Sequence, residues 1–257
     1  MKILALGDVV GSITTEHLKK HLSRIQREER IDLTVANGEN VTEIRGISAK
    51  DAQALLDAGI DLITLGNHAF NMRDIGDFLD NNGERIIRPA NYPASAPGYG
   101  YTVIRVGGWR VLAVAVSGRA FLDPLACPFE TLDRILEREK GSYDLAILDV
   151  HAEATSEKLA IAYDFDGKFQ VIFGTHTHVP TADERVLPRG TGYITDLGMC
   201  GPSDGVIGTE TQSVIRRFRT SLPTRFPVAQ GKVVAQGAIF DLDENARRVR
   251  SVKRITF

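Results

Sequence analysis

Five short apolar runs in this chain each lead into residues that bind metals or move protons. Asp8 follows KILALG, Glu39-Asn40 follows DLTVA across a short NG link, and Asn67-His68 follows DLITLG. His151 closes DLAILDV, and His176 and His178 follow FQVIFG. Carboxylate, imidazole and amide oxygen together suit a divalent transition metal such as Mn, Fe or Zn, whereas a calcium site draws on oxygen alone. The spacing His176-Thr177-His178 needs a loop turn, or two metals, for both imidazoles to be used.

Taken singly, each residue also has a plain structural reading. Asp8 can cap the helix expected near Thr14, and Asn40 and Asn67 can be turn residues in left-handed backbone. His151 reads equally as a hydrogen-bonded core histidine. His17 and His21 sit at i, i+4 on the first expected helix with no third ligand nearby, so they read as surface or packing residues. Shared position changes the balance for the others. In open α/β sheets the loops after neighbouring strands converge on one edge, where ligands bind.

The elements that must do this positioning are legible from hydrophobic spacing. Residues 2–7 read as a buried strand, and Leu18, Leu22 and Ile25 mark a helix capped by Thr14-Thr15-Glu16. Strands over 32–36 and 61–65 flank a helix capped by Ser48 and carrying Ala52, Leu55 and Leu56. This βαβαβ rhythm implies a parallel sheet flanked by helices. YGYTVIRV and WRVLAVAV, joined by Gly107-Gly108, read as a hairpin, so part of the structure is antiparallel. Further on come a helix near 129–139, strands at 144–150 and 169–174, GYITDLG, a Gly-rich loop and a helix around 209–219. KVVAQGAIFDL and RRVRSVKRITF form a last expected hairpin through Asp243-Glu244-Asn245. No linker, repeat or low-complexity segment interrupts residues 1–257, which read as one α/β domain built from packed sheets.

A net charge of −2 gives no general attraction for nucleic acid or an anionic membrane. Arg216, Arg217, Arg219 and Arg225 lie close together and read as a solvated face rather than a nucleic-acid site. No run approaches the roughly 20 apolar residues of a membrane span, and the N-terminal stretch lacks the pattern of a signal peptide. Cys127 and Cys200 form no CxxC pair, which favours a reducing interior and a cytoplasmic location. The default assembly for such a chain is an isologous homodimer.

GDVVG (7–11), NGEN (37–40), GNHAF (66–70), DVHAEATSEK (149–158) and GTHTHVPTAD (174–183) resemble the calcineurin-like metallophosphoesterase superfamily. With TDLGMCGP (195–202) they are most similar to its bacterial YmdB-like branch, linked to hydrolysis of 2′,3′-cyclic nucleotides and other phosphodiesters. The resemblance implies a four-layer αββα sandwich of two mixed sheets and a pair of divalent metals, Fe or Mn with Zn as the alternative. By the same resemblance Asp8 and His178 hold the first metal, Asn67, His151 and His176 hold the second, and Glu39 bridges them. His68 is then the residue that assists departure of the leaving oxygen, after in-line attack of a metal-activated water on phosphorus. One position departs from the superfamily pattern: where Asp-x-His is usual, the third residue is Val10, and Asn40 is the natural substitute ligand. The implied substrate is a small phosphodiester, a nucleotide above all, with RNA as a second candidate. Loops 41–47, 117–124 and 199–208 are the expected walls of its pocket, and Arg45 or Arg119 the expected phosphate partner. A regulatory module that binds nucleotide or RNA with little turnover is the competing reading. The intact ligand set and His68 argue against it.

Overall fold

The computed structural model describes residues 1–243, 245 and 247–257. The first half runs β1 (Lys2–Leu6), β2 (Asp8–Val9), α1 (Ser12–Glu29), β3 (Leu33–Asn37), α2 (Ala49–Asp57), β4 (Leu62–Thr64), α3 (Ile75–Asn81) and β5 (Ile86–Ile87). The middle adds β6 (Tyr101–Val106), β7 (Trp109–Ser117), α4 (Pro128–Arg138), β8 (Leu145–His151), α5 (Thr155–Asp164) and β9 (Val171–Thr175). The last part contributes β10 (Arg185–Val186), β11 (Gly192–Ile194), β12 (Met199–Pro202), α6 (Thr211–Thr220), β13 (Val233–Asp243) and β14 (Arg248–Thr256).

Side chains alternate across a strand, and that alternation dictates the layers. In β1, Ile3 and Ala5 enter the core between the two sheets, while Leu4 and Leu6 enter the core beneath the helices. A strand apolar on both faces needs cover on both. The first sheet runs β2-β12-β13-β1-β3-β4-β5, with β14 also paired to β13; the second runs β10-β11-β9-β8-β7-β6. Leu33 and Val35 pack against Ile147 and Val171 between the sheets. Leu18, Leu22 and Leu55 of α1 and α2 cover the outer face of the first sheet, and Leu132 and Ile161 of α4 and α5 cover the second. The result is the expected αββα sandwich of two mixed sheets.

Register then brings the strand ends level. Asn37 sits beside Thr64, and His151 sits between Ser117 and Thr175. Asp8 is placed by a different partner, β12, where it lies parallel to Met199.

Three local expectations are corrected. Helix α1 starts two residues before Thr14, with Gly11 at φ 72° as its N-cap, and the Thr14 hydroxyl donates back to the Val10 carbonyl at 2.6 Å. The Gly-rich stretch after 198 contains strand β12, which pairs with both β2 and β13 despite its Gly and Pro. Helix α5, absent from the sequence reading, buries Lys158 among its core residues, so its apolar stripe is broken by a charge. By contrast the Ser48 cap is present, accepting from Asp51 N at 3.1 Å. Strands β13 and β14 pair as the expected hairpin; in its anticipated turn, Glu244 lies outside the described residues.

Candidate metal centre

The level strand ends create one crowded, buried group of donor atoms. His151 Nε2 lies 2.9 Å from Asn67 Oδ1, 3.0 Å from Glu39 Oε1 and 3.1 Å from His176 Nδ1. Ligand atoms of Glu39, His151 and His176 all fall within 4.8 Å of one another. A single ring nitrogen cannot satisfy three such neighbours. Glu39 Oε1 is buried and, although His151 is close, no donor is aligned on it as a hydrogen bond.

A support network fixes these groups. The Thr175 hydroxyl donates to Asp149 Oδ1 at 2.7 Å and therefore accepts from His151 Nδ1 at 2.9 Å. That assignment leaves Nε2 as the nitrogen facing Glu39 and Asn67, available as a ligand atom once its proton is lost. The other Asp149 oxygen takes the Thr64 hydroxyl at 2.5 Å and the Asn37 amide at 3.4 Å. Glu153 holds the far nitrogen of His176, with Nε2 to Oε2 at 3.0 Å. Gly66 is required by packing, since a Cβ there would collide with the His151 ring.

A second group abuts the first. Asp8 Oδ1 lies 3.6 Å from His178 Nε2, and Asn40 Nδ2 is 3.2 Å from that nitrogen and 3.4 Å from Asp8 Oδ1. As placed, Asn40 presents its amide nitrogen here and its oxygen to His68 Nδ1 at 2.9 Å; turning the amide presents the oxygen instead. Asp8 Oδ2 accepts His176 N at 2.9 Å, tying the two groups together.

The His-Thr-His segment works through an unusual backbone. His176 has φ 102° and His178 φ 64°, a left-handed region that costs non-glycine residues of order 1 kcal/mol or more. These turns send one imidazole to each group. Asp196 and Lys158 hold the segment: their buried ion pair spans 2.7 Å, and Asp196 Oδ2 also accepts Thr177 N at 3.2 Å. A Cβ on Gly174, just before the segment, would strike the Thr195 carbonyl and Lys158.

Charge accumulates where solvent cannot screen it. Asp8 and Glu39 are both fully buried; burial raises their pKa, but nearby His178 and His151 respectively outweigh it and keep both carboxyls below their ordinary range. Burial opposes the charge of His151, yet Glu39, Asp8 and Asp149 prevail and raise it to about 9. His176 goes the other way, to about 4, through burial and repulsion from His151. Burial drives Asp149 up to about 6 against the pull of His151. His68 is lowered by burial and Arg45, with Glu39 opposing.

The structure thus brings together Asp8, Glu39, Asn40, Asn67, His68, His151, His176 and His178 where the strand ends of the two sheets meet, the first five from the first sheet and the three histidines at 151, 176 and 178 from the second, rather than along the edge of one sheet. Five of them, Glu39, Asn40, His68, His176 and His178, line a cleft of about 760 Å³, in the size range of small-ligand sites. Of the expected walls, Arg45 with Ile44 and Val206 with Ile207 line it, whereas residues 117–124, Arg119 included, do not. Arg217, expected on a solvated face, and Phe218 beside it on α6 form a further wall. Glu153, Asp149, Asn37, Lys158 and Asp196 were also unassigned. Asp149 stands two residues before His151 on β8, on the same strand face, which was the available signal. His17 and His21 pack with their rings tilted by 43° and centroids 4.5 Å apart, and His17 approaches the Phe257 carbonyl.

The donor set fits divalent metals. Neighbouring ligands of an ion with bonds of about 2.1 Å lie about 3 Å apart in octahedral geometry, the separation found around His151 Nε2. Glu39 Oε1, buried and without an aligned donor, is the carboxylate oxygen best suited to face such a cation. Two buried carboxylates that face histidines for counter-charge lead to the same conclusion.

A relative from Bacillus subtilis, named 2′,3′-cyclic-nucleotide 2′-phosphodiesterase, is 40% identical over 99% of this chain and 96% of its own length. A solved Thermus thermophilus protein of undefined role superposes with TM-score 0.94 at 40% identity, covering 100% of this chain and 99% of its own. A solved Mycoplasma pneumoniae protein described as a novel phosphatase gives TM-score 0.93 at 34% identity, covering 100% and 93%. The model of the YmdB-like protein family matches residues 4–255, and with that match over nearly its whole length the chain belongs to this family of metallophosphoesterase fold.

Proposed function

We propose that the chain, with residues 1–257 as one catalytic domain, is a dinuclear-metal phosphodiesterase acting on 2′,3′-cyclic nucleotides. The observation that carries this reading is the pair of abutting donor groups around Glu39 and Asp8, each with its own imidazoles, at the floor of a ligand-sized cleft. Asn67, His151 and His176 would hold one ion, Asp8, Asn40 and His178 the other, and Glu39 would bridge them. Fe or Mn suits the set, with Zn as the alternative. When bound, the two ions supply a water nucleophile near neutral pH and neutralise phosphate charge. The name of the Bacillus subtilis relative supports the substrate class. RNA ends carrying the same cyclic phosphate are the second candidate substrate.

The chain's own residues do the rest. His68 lines the cleft, and its Nδ1 is engaged by Asn40, which leaves Nε2 to meet the leaving oxygen. Turned so that its oxygen faces the Asp8 group, the Asn40 amide would donate to His68 Nδ1 and leave the ring proton on Nε2, where a general acid needs it. Arg45, on the cleft wall beside His68, is placed to pair with a phosphate oxygen. The carbonyl of Glu39 accepts Gly46 N at 2.6 Å, so the Arg45 turn is anchored to the metal-binding loop itself. Glu153 keeps the His176 ring oriented from the solvent side.

Turnover of 2′,3′-cyclic AMP to a nucleoside monophosphate with added manganese, abolished by a chelator, tests the reading. Bound metal with no turnover of this ester or of bis-p-nitrophenyl phosphate would replace it with a nucleotide-sensing module.

A further inference from the structure

Helix α6 buries none of its ten residues. Its Val214 and Phe218, four apart and so on one face, nonetheless line the same cleft as Glu39, Asn40, His68 and His178. Ile207 joins them from the preceding loop. Phe218 is 82% exposed and Ile207 47% exposed, so this apolar wall is open to whatever enters the cleft. The cleft therefore has two chemically different ends. One is the donor cluster with Arg45; the other is aliphatic and aromatic. The two ends are joined directly, because His178 Nδ1 donates to the Ile207 carbonyl at 3.1 Å.

We infer that Ile207, Val214 and Phe218 form a nucleobase platform: the base of a nucleotide lies against Phe218 while its phosphate occupies the donor cluster. The position of the phosphate rests on the phosphodiesterase reading above. A free second copy of this chain would also cover an apolar helix, but the wall opens into the donor cluster, and that continuity selects a ligand that is anionic at one end and flat and apolar at the other. The polar side chains of the wall are the Thr209 and Ser221 hydroxyls and the Arg217 guanidinium, which donates to the Ser221 carbonyl. None is a carboxamide able to read a base edge through two hydrogen bonds. Every base has an aromatic face, so such a platform is tolerant of base identity.

The test is equilibrium binding, by calorimetry, of adenosine 3′-monophosphate and of ribose 3-phosphate to the full chain prepared with manganese. The expected result is that the nucleotide binds roughly tenfold or more tightly than the baseless sugar phosphate. Phe218→Ala should erase that difference while leaving the affinity for ribose 3-phosphate and the unfolding temperature unchanged, and Phe218→Tyr should retain it. The four nucleoside 3′-monophosphates should agree within about tenfold. Equal affinity for the two probes in the wild type, or an equal loss for both in Phe218→Ala, overturns the platform. So does a Phe218→Ala chain that keeps its nucleotide preference but changes its oligomeric mass, which would assign the wall to a second copy. Turnover of 2′,3′-cyclic AMP, measured separately, keeps the two readings apart. Turnover without a base increment removes the platform alone, and a base increment without turnover removes the hydrolase reading alone.

Discussion

The two donor groups are built to different standards. Around His151 a buried chain of Thr175, Asp149, Thr64 and Asn37 backs the imidazole, and Glu153 steadies His176. Around Asp8 the support is thinner. His178 leans on one carbonyl from an exposed loop, and Asn40 divides its amide between this group and His68. Pre-oriented ligands bind a metal without first being ordered, so on the proposed dinuclear reading the inner group should be the tight site and the outer one the exchangeable site. The outer group is also the one joined to the cleft wall, through His178 and Ile207.

The sharpest way to break this contrast is to remove one ligand from each side. His151→Ala should abolish tight metal binding and reduce turnover more than about a hundredfold, whereas His178→Ala should keep one tightly bound ion per chain. Equal metal loss in both variants would erase the distinction. His68→Ala touches neither group as a ligand: kcat should fall roughly 10²- to 10⁴-fold with metal content unchanged. A variant that kept full turnover would remove His68 from the chemistry.

Next in size is the clamp on the segment that serves both groups. Lys158→Met leaves the Asp196 carboxylate buried without its partner, which should destabilise the fold by about 3–5 kcal/mol in denaturant unfolding. A loss near zero would show that the pair is dispensable. Asp149→Asn should weaken the inner site about 10- to 100-fold while sparing the outer one. Titration of metal into the variant, followed by competition with a chelator, separates these outcomes.

The smallest expected effect is in pH. In the metal-free chain His151 titrates at about 9, so near pH 7 it carries a proton that an entering ion must displace. His176, at about 4, carries none. Metal binding at pH 7 should therefore release about one proton from the inner group, and its affinity should rise about tenfold per pH unit up to roughly 9. Calorimetry in buffers of different ionisation heat measures the release. An affinity that is flat between pH 7 and 9 contradicts the assignment of His151 Nε2 as a ligand atom.

How far the sequence foretold this depends on the kind of interaction. Residues that end strands were legible, because apolar runs are local and a parallel sheet aligns their ends; Asp8, Glu39, Asn67, His151 and His176 were all placed at one edge on that ground. Lys158 and Asp196 were not legible as a pair, since their contact spans distant segments and a lysine in an amphipathic helix ordinarily faces water. It also masked α5 itself. Strand β12 was hidden by its Gly and Pro, although its pairing with β2 is what seats Asp8. For α6 the four neighbouring arginines suggested a solvated face, which its exposure bears out; that Phe218 and Arg217 also wall the cleft is a matter of tertiary placement.

The dinuclear claim is tested most directly by adding metal stepwise to metal-free protein while following 2′,3′-cyclic AMP turnover in the same sample. The account predicts that the first equivalent of manganese binds tightly with little activity, and that turnover grows with the second. Full activity at one equivalent, or turnover in the metal-free chain, would contradict it.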